Sequence, residues 1–206
     1  MASFTKYHLA ISKDLYLQKQ AENLYINPLP SHEMNILETK PDYGMFSLLL
    51  ERTGGPWGWT RRPRYAEGNR QSILKLLGAP ETRLFLLRDQ QDIVGYCLTA
   101  APSFQNDLRK KFNQYAVSDH NVIEIENFGL FPEYTGKGYG RYFLPTLFEE
   151  LLKDHDTVYL STRGTNHPRV VPFYESLGMR VIHQETLPDD LIPSHRPQWK
   201  PPLYGT

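Results

Sequence analysis

Apolar positions recur along this chain with two periods. Arg83-Leu-Phe-Leu-Leu-Arg88 and Ile93-Val-Gly-Tyr-Cys-Leu-Thr99 flank the polar tetrapeptide Asp89-Gln-Gln-Asp92, a pattern that predicts two strands joined by a hairpin. Asn121 to Phe131 reads as a third strand and is followed by a glycine-rich turn. From Tyr142 to Lys153 the period lengthens: Phe143, Leu147 and Leu151 recur every four residues beside Leu144, Phe148 and Leu152, which predicts an amphipathic helix. Thr157 to Thr162 is a further strand, Arg169 to Leu177 a helix closed by Gly178, and Arg180 to His183 a last strand. Strand, helix, strand, helix, strand is the order of an α/β domain.

Upstream, Asn35 to Thr39 fits a strand, and Asp42 to Glu51 and Ala66 to Leu77 fit helices. Between those helices Gly54 to Pro63 is interrupted so often by Gly and Pro that a loop is expected. Pro145 and Pro172 each remove a backbone donor and must lie near helix starts or kink their helices. Thr186 to Thr206 holds five prolines and should be an extended tail over the surface. The expected organisation is an N-terminal extension over 1–34, one domain over 35–185 and a proline-rich tail over 186–206.

Composition narrows the class. The chain has 206 residues, 40% hydrophobic and 22% charged, which suits one soluble globular domain. Lys plus Arg number 23 and so do Asp plus Glu, so no global field draws in nucleic acid or an anionic membrane. Apolar stretches such as Met45 to Leu50 fall far short of the ~18 residues a membrane span needs. The first residues lack the cationic start and apolar centre of an export signal, so a cytoplasmic location is expected. Cys97 is the one cysteine, which excludes an internal disulfide framework, a Cys-rich zinc site and a Cys-x-x-Cys pair; no metal is expected.

Candidate chemistry concentrates after the third strand. Thr135-Gly-Lys-Gly-Tyr-Gly-Arg141 joins a strand to a helix, and its glycines let successive N–H groups converge on one point. The helix dipole, Lys137 and Arg141 favour an anion there, although a lone Gly-x-Gly is more often a plain tight turn. Neither the dinucleotide fingerprint nor the P-loop is present. In the preceding strand, alternation sets Glu124, Glu126 and Phe128 against the face of Ile123 and Ile125. A half-buried carboxylate needs a partner or a wet cleft; a solvated or salt-bridged face is the favoured reading for Glu126.

The order of these segments resembles the GNAT superfamily of N-acyltransferases. Leu130-Phe-Pro132 followed by Glu-Tyr-Thr-Gly-Lys-Gly-Tyr-Gly140 is similar to that family's Gln/Arg-x-x-Gly-x-Gly/Ala segment, with Gly138 and Gly140 matching and Thr135 standing where Gln or Arg is preferred. Phe173-Tyr-Glu-Ser-Leu-Gly-Met179 resembles the family's Phe-Tyr-x-x-x-Gly-Phe, and the likeness covers about Val122 to Ile182. It implies a GNAT-like α/β fold, a central mixed, mostly antiparallel sheet flanked by helices, with strands Val122–Phe131 and Thr157–Thr162 splaying to admit pantetheine. The implied acyl donor is acetyl-CoA, held by Leu130, Phe131, Thr135, Gly136, Lys137, Gly138, Tyr139, Gly140 and Arg141, and by Asn166 or His167, where the register leaves two choices.

The same likeness gives Leu130 N–H the thioester carbonyl. Glu124 stands six residues before Leu130, where some of these enzymes carry a catalytic glutamate, and is the candidate base. Tyr174 is either a core aromatic at helical spacing with Val170 and Leu177 or the acid that protonates the departing thiolate. Cys97 reads as a buried thiol, against an acyl-cysteine intermediate. Trp57, Trp59, Arg61 and Arg62 lie in a loop where such enzymes often shape the acceptor pocket; a packed-tryptophan loop is an equal reading. From Glu51 to Lys75 six basic residues face two acidic ones, which suits an acceptor bearing a carboxylate. A small-molecule amine is the expected acceptor, with no nucleic-acid or membrane partner and a homodimer left open. The alternatives are a protein N-acetyltransferase and a non-catalytic CoA-binding module.

Overall fold

In the computed structural model the strands predicted from apolar runs join a single sheet of seven, in the order β2-β3-β4-β5-β6-β1-β7. The structure describes residues 3–22, 34–55, 58–61, 65, 69–102, 121–164, 166 and 168–188. The strands are β1 Ser3–Ser12, β2 Met34–Thr39, β3 Arg83–Asp89, β4 Asp92–Ala100, β5 Val122–Leu130, β6 Thr157–Arg163 and β7 Arg180–Pro188. The described helices are α1 Lys13–Ala21, α2 Tyr43–Gly54, α3 Arg70–Leu77, α4 Tyr139–Leu151 and α5 Val170–Ser176. Only β5 and β6 pair in parallel; every other neighbouring pair is antiparallel. A parallel pair needs a long crossover, and α4 supplies it.

Each face of the sheet has its own core. On one, Leu9, Ile11, Ile123, Ile125, Val158 and Leu160 pack with Phe143, Leu147, Phe148 and Leu151 of α4 and Tyr174 of α5. On the other, Leu84, Leu86, Tyr96 and Leu98 pack with Phe46, Leu49 and Leu50 of α2 and Ile73 and Leu77 of α3. We call these the α4 face and the α2 face. The every-fourth-residue spacing of Phe143, Leu147 and Leu151 therefore becomes a fully buried stripe, each at 0% exposure. No described helix is long and apolar enough to cross a membrane.

Several expectations need correcting. Residues 3–21, expected in an extension, form α1 and the strand inserted between β6 and β7, because Leu9 and Ile11 have the same apolar alternation as the neighbouring strands. Helix α4 starts at Tyr139 rather than Tyr142: Gly138, at φ +89°, turns the chain sharply enough for the helix to begin at once. Pro145 lies inside that helix, and its carbonyl accepts the Tyr16 hydroxyl at 3.3 Å. The loop expected over 54–63 contains a 3₁₀ turn at Trp59–Arg61, and Gly54 still belongs to α2. Strand β7 continues to Pro188, into the expected tail, because its residues pair with β1 up to Ser3. The remainder of the tail, 189–206, lies outside the described residues.

Candidate active site

Two irregularities in β5 build the site. The first is a β-bulge: Leu98 of β4 pairs with Asn127 and Thr99 with Ile125, which leaves Glu126 extra. Strict alternation would have put Phe128 beside Glu124 and Glu126. The extra residue instead leaves Glu124, Glu126 and Asn127 on the α2 face and moves Phe128 to the α4 face, where its ring lies 5.7 Å from Phe143. The second is a splay. Strands β5 and β6 pair only from Val122–Ile125 to Thr157–Leu160, although β5 continues to Leu130 and β6 to Arg163.

That splay exposes one backbone donor in particular. The Phe131 N–H bonds Val94 O on the β4 side at 2.9 Å, and Leu130 pairs with Gly95. Donors alternate in direction along a strand, so the Leu130 N–H points the other way, into the opening where β6 has left the ladder. Tight packing holds this end of β5 in place. A Cβ on Gly129 would come within 2.8 Å of Thr53 on α2, so only glycine allows the helix this close.

The turn from β5 to α4 is shaped by backbone rather than by side chains. Pro132–Tyr134 forms a 3₁₀ turn, and the Thr135 hydroxyl donates to Pro132 O at 2.6 Å. Gly136 and Gly138 have φ of +76° and +89°, in the left-handed region. Helix α4 then opens with N–H groups that have no intrahelical acceptor, its first internal bond running from Arg141 N–H to Gly138 O at 3.0 Å. Among the described residues nothing lies within 4 Å of where a Gly138 Cβ would stand, so these residues leave the space in front of the turn open. Lys137 and Arg141 are exposed beside it. An anionic group fits such a donor array.

The other residues expected along this turn face elsewhere. Phe131 is buried beneath the Arg52 guanidinium, which lies 3.8 Å above its ring. The Tyr139 ring joins the α4-face core and its hydroxyl bonds Asp89; that bond, with burial, pushes its pKa up to about 12. Both can meet a ligand through backbone atoms only. A Gly140 Cβ would sit 2.9 Å from Phe173 Cζ, which makes Gly140 the contact point between α4 and α5.

Glu124 and Tyr174 lie on opposite faces of the sheet, and Glu124 stands in the paired part of β5, before the splay. Glu124 is 4% exposed on the α2 face, next in register to Tyr159 of β6 and engaged by its surroundings. Tyr174 is 6% exposed on the α4 face, where burial holds its phenol well above the usual tyrosine range and so protonated at neutral pH. Burial likewise pushes the Cys97 thiol up, which leaves it a poor nucleophile.

The described part of the acceptor loop is tied down at two points. The Trp59 indole packs on Gly54, and its Nε1 donates to Asn166 Oδ1 at 3.4 Å; Asn166 Nδ2 donates to Thr162 Oγ1 at 3.0 Å. A residue expected to touch the acyl donor thus braces the loop expected to hold the acceptor. Trp57, Arg62 and His167 lie outside the described residues, and Arg61 is placed by its backbone as the last residue of the 3₁₀ turn. Sequence reasoning missed Tyr65 and Asn127. The Tyr65 hydroxyl donates to Glu126 Oε1 at 2.7 Å and accepts from Asn127 Nδ2 at 2.9 Å, while the buried Tyr96 hydroxyl donates to Asn127 Oδ1 at 2.8 Å. Glu126, read as a solvated or salt-bridged side chain, is held by this network. A polar residue where strict alternation continues the apolar face of Ile123 and Ile125 was the available signal for Asn127; nothing local marked Tyr65.

No group of three or more metal-ligating side chains occurs among the described residues. A family model described as Acetyltransferase (GNAT) family matches residues 43–179. Among solved structures, a functionally unknown conserved protein from Staphylococcus epidermidis ATCC 12228 is 14% identical over 90% of this chain and 60% of its own, with a TM-score of 0.55. A GNAT-family protein from Novosphingobium aromaticivorans DSM 12444 is 14% identical over 90% and 63%, at 0.52. An aminoglycoside acetyltransferase from an uncultured soil metagenomic sample, solved with trehalose, is 14% identical over 71% and 88%, at 0.51. This chain spans less than two thirds of the length of the first two. Identities this low establish likeness of fold alone, and no curated protein matches the chain.

Proposed function

This chain belongs to the GNAT acetyltransferase family, and from that premise we propose that it moves an acetyl group from acetyl-CoA directly to a primary amine in a ternary complex. The observation that carries the reading is the splay of β5 from β6, with the Leu130 N–H turned into it and the glycine turn at one end. Acetyl-CoA supplies the acyl group as a thioester and a pyrophosphate for the cradle. The amides over Gly136–Gly140 hold the anionic end, with Lys137 and Arg141 adding charge. The Leu130 N–H stabilises the developing oxyanion, a role whose loss typically costs ~2.7–4 kcal/mol in barrier.

Glu124 takes a proton from the acceptor ammonium, directly or through water, because the amine cannot attack until its lone pair is exposed. The C–N bond forms, the C–S bond breaks, Tyr174 gives its hydroxyl proton to the departing thiolate, and the second proton leaving the acylated nitrogen restores the Tyr174 hydroxyl. Base and acid on opposite faces of one sheet suit a reaction that runs through the opening between them. The acceptor is a small molecule, and the local excess of basic residues around Arg61 and Arg62 favours one that carries a carboxylate. The site of action is the cytoplasm. A screen of amines with acetyl-CoA, scored by thiol release, tests the reading. It expects release that depends on the amine and disappears in Glu124→Gln; release without regard to the amine would remove the transferase assignment. Arg61→Ala or Arg62→Ala should raise the acceptor KM and leave that of acetyl-CoA unchanged.

A further inference from the structure

The α2 face carries a second buried polar chain that the proposed reaction leaves unused. His8 of β1 is fully buried, and its Nδ1 lies 2.7 Å from the Tyr159 hydroxyl while its Nε2 lies 2.9 Å from Glu185 Oε1 on β7. Glu185 is half-buried and also faces Lys6 Nζ at 3.5 Å. The His8 ring stacks on Tyr159 at 6.0 Å and on His183 at 5.3 Å. Tyr159, in turn, stands next to Glu124 in the β5–β6 register, and its oxygen is also bonded by the Ser161 hydroxyl. The groups facing His8 are therefore Lys6 on its own strand, Tyr159 and Ser161 on β6, and His183 and Glu185 on β7, with Glu124 beyond Tyr159.

The chain has one consistent set of hydrogens. Burial brings the His8 pKa down to about 4, so the ring is neutral at pH 7 and carries one N–H. Burial raises the Glu185 carboxyl while its bonds to His8 and Lys6 lower it, and the net direction is down; it is ionised and can only accept. The His8 hydrogen is then on Nε2, donated to Glu185, and Nδ1 must accept from the Tyr159 hydroxyl. A carboxylate, an imidazole and a hydroxyl in this order fix where the hydroxyl hydrogen points.

Resting on the role given to Glu124 above, we propose that His8 is a positioning residue for that base: by taking the Tyr159 hydroxyl hydrogen at Nδ1, it turns a neighbouring donor away from the Glu124 carboxylate. A hydrogen bond donated to a carboxylate stabilises its charged form and makes it a weaker base. Tyr159 and Glu124 are register partners in the parallel β5–β6 pair with side chains on the same face, which makes the phenol a neighbour of that carboxylate. Glu185 and Lys6 matter because they hold the His8 tautomer. Without them the hydroxyl could turn toward β5.

The test reads Glu124 itself and needs no acceptor. Protein labelled with ¹³C at the glutamate carboxyls is titrated by NMR, with the Glu124 signal identified by its loss in Glu124→Gln. His8→Phe removes the Nδ1 acceptor and should lower the Glu124 pKa by about one unit. His8→Asn places an amide oxygen near Nδ1 and should restore the original value, and Tyr159→Phe, with no hydroxyl to turn, should show no drop. An unchanged Glu124 in His8→Phe, or the same drop in all three variants, overturns the proposal. Should His8→Phe not fold, ¹⁵N NMR of the wild-type ring decides: hydrogen on Nε2 with Nδ1 accepting supports it, and hydrogen on Nδ1 overturns it. Turnover is scored separately. A Glu124→Gln variant with full activity would sink the base assignment while leaving the titration result standing.

Discussion

The two ends of the β5–β6 opening are built from different materials. At the end of β5 the contacts offered are main-chain N–H groups, set by Gly136 and Gly138 in left-handed conformation and by the start of α4. On the α2 face, toward the start of β5, they are side chains: Glu124, beside Tyr159 in the β5–β6 register, and Glu126 and Asn127, held by Tyr65 and Tyr96 from two other segments. A cradle of amides recognises an invariant anion and depends on a few glycines in one stretch of chain. A cluster of carboxylates and phenols can be retuned residue by residue, which is what choice of acceptor requires.

The comparison is sharpened most by Glu124→Gln. Turnover should fall ~10²- to 10⁴-fold with CoA affinity little changed, as expected when only a general base is lost; steady-state rates and calorimetric CoA titration separate the two. Equal losses in both would merge the two ends into one unit. Tyr174→Phe comes next. The ring still fills its place in the α4-face core, so the fold should persist while acyl transfer drops by ~10²-fold, and a folded variant with wild-type turnover would make Tyr174 a packing residue.

His8 supplies an effect on stability. Its pKa is about 4 in the fold against 6.5 when exposed, so between those values the unfolded chain binds a proton that the folded chain does not. Stability should therefore fall as pH drops from 6.5 toward 4, by on the order of 3 kcal/mol, and change no further from this group below 4. Denaturant titrations of wild type and His8→Asn across that range check it, since the variant has no imidazole to protonate.

The amide end is expected to respond more gently. A Gly138→Ala Cβ meets open space, but φ of +89° costs a side chain roughly 1–2 kcal/mol, so CoA affinity should fall about 10-fold through a displaced turn. Gly140→Ala should act on stability instead, by ~1–3 kcal/mol, because its Cβ would press on Phe173. Smallest of all, Trp59→Phe gives up a 3.4 Å bond to Asn166 and should cost ~1 kcal/mol or less, read in the acceptor KM.

The same contrast explains what could be read in the sequence. The hairpin, α4 and the glycine turn were legible because their signals are local: an apolar period of two or four, and glycines at fixed offsets. Glu124 stood out because a carboxylate breaks an apolar run, and what the structure adds is its burial. The bulge at Glu126 was not, since it arises from the pairing of β4 with β5 and changes the side on which Phe128 emerges. Nor was the His8–Tyr159–Glu185 chain, whose members stand 151 and 177 residues apart and meet only because β1 inserts between β6 and β7. Tyr65 belongs to the same class: a loop residue whose role is given by the strand it reaches.

The central claim is that acetyl-CoA is held between β5 and β6 by main-chain donors. Amide hydrogen exchange measured residue by residue, with and without acetyl-CoA and with no acceptor present, addresses it directly. The account predicts protection of the Leu130 amide together with those of Gly136 to Gly140, while the amides of β2 and β3 at the sheet edge stay unchanged. Acetyl-CoA binding that protects other amides and leaves Leu130 and the glycine turn exchanging as before would contradict it.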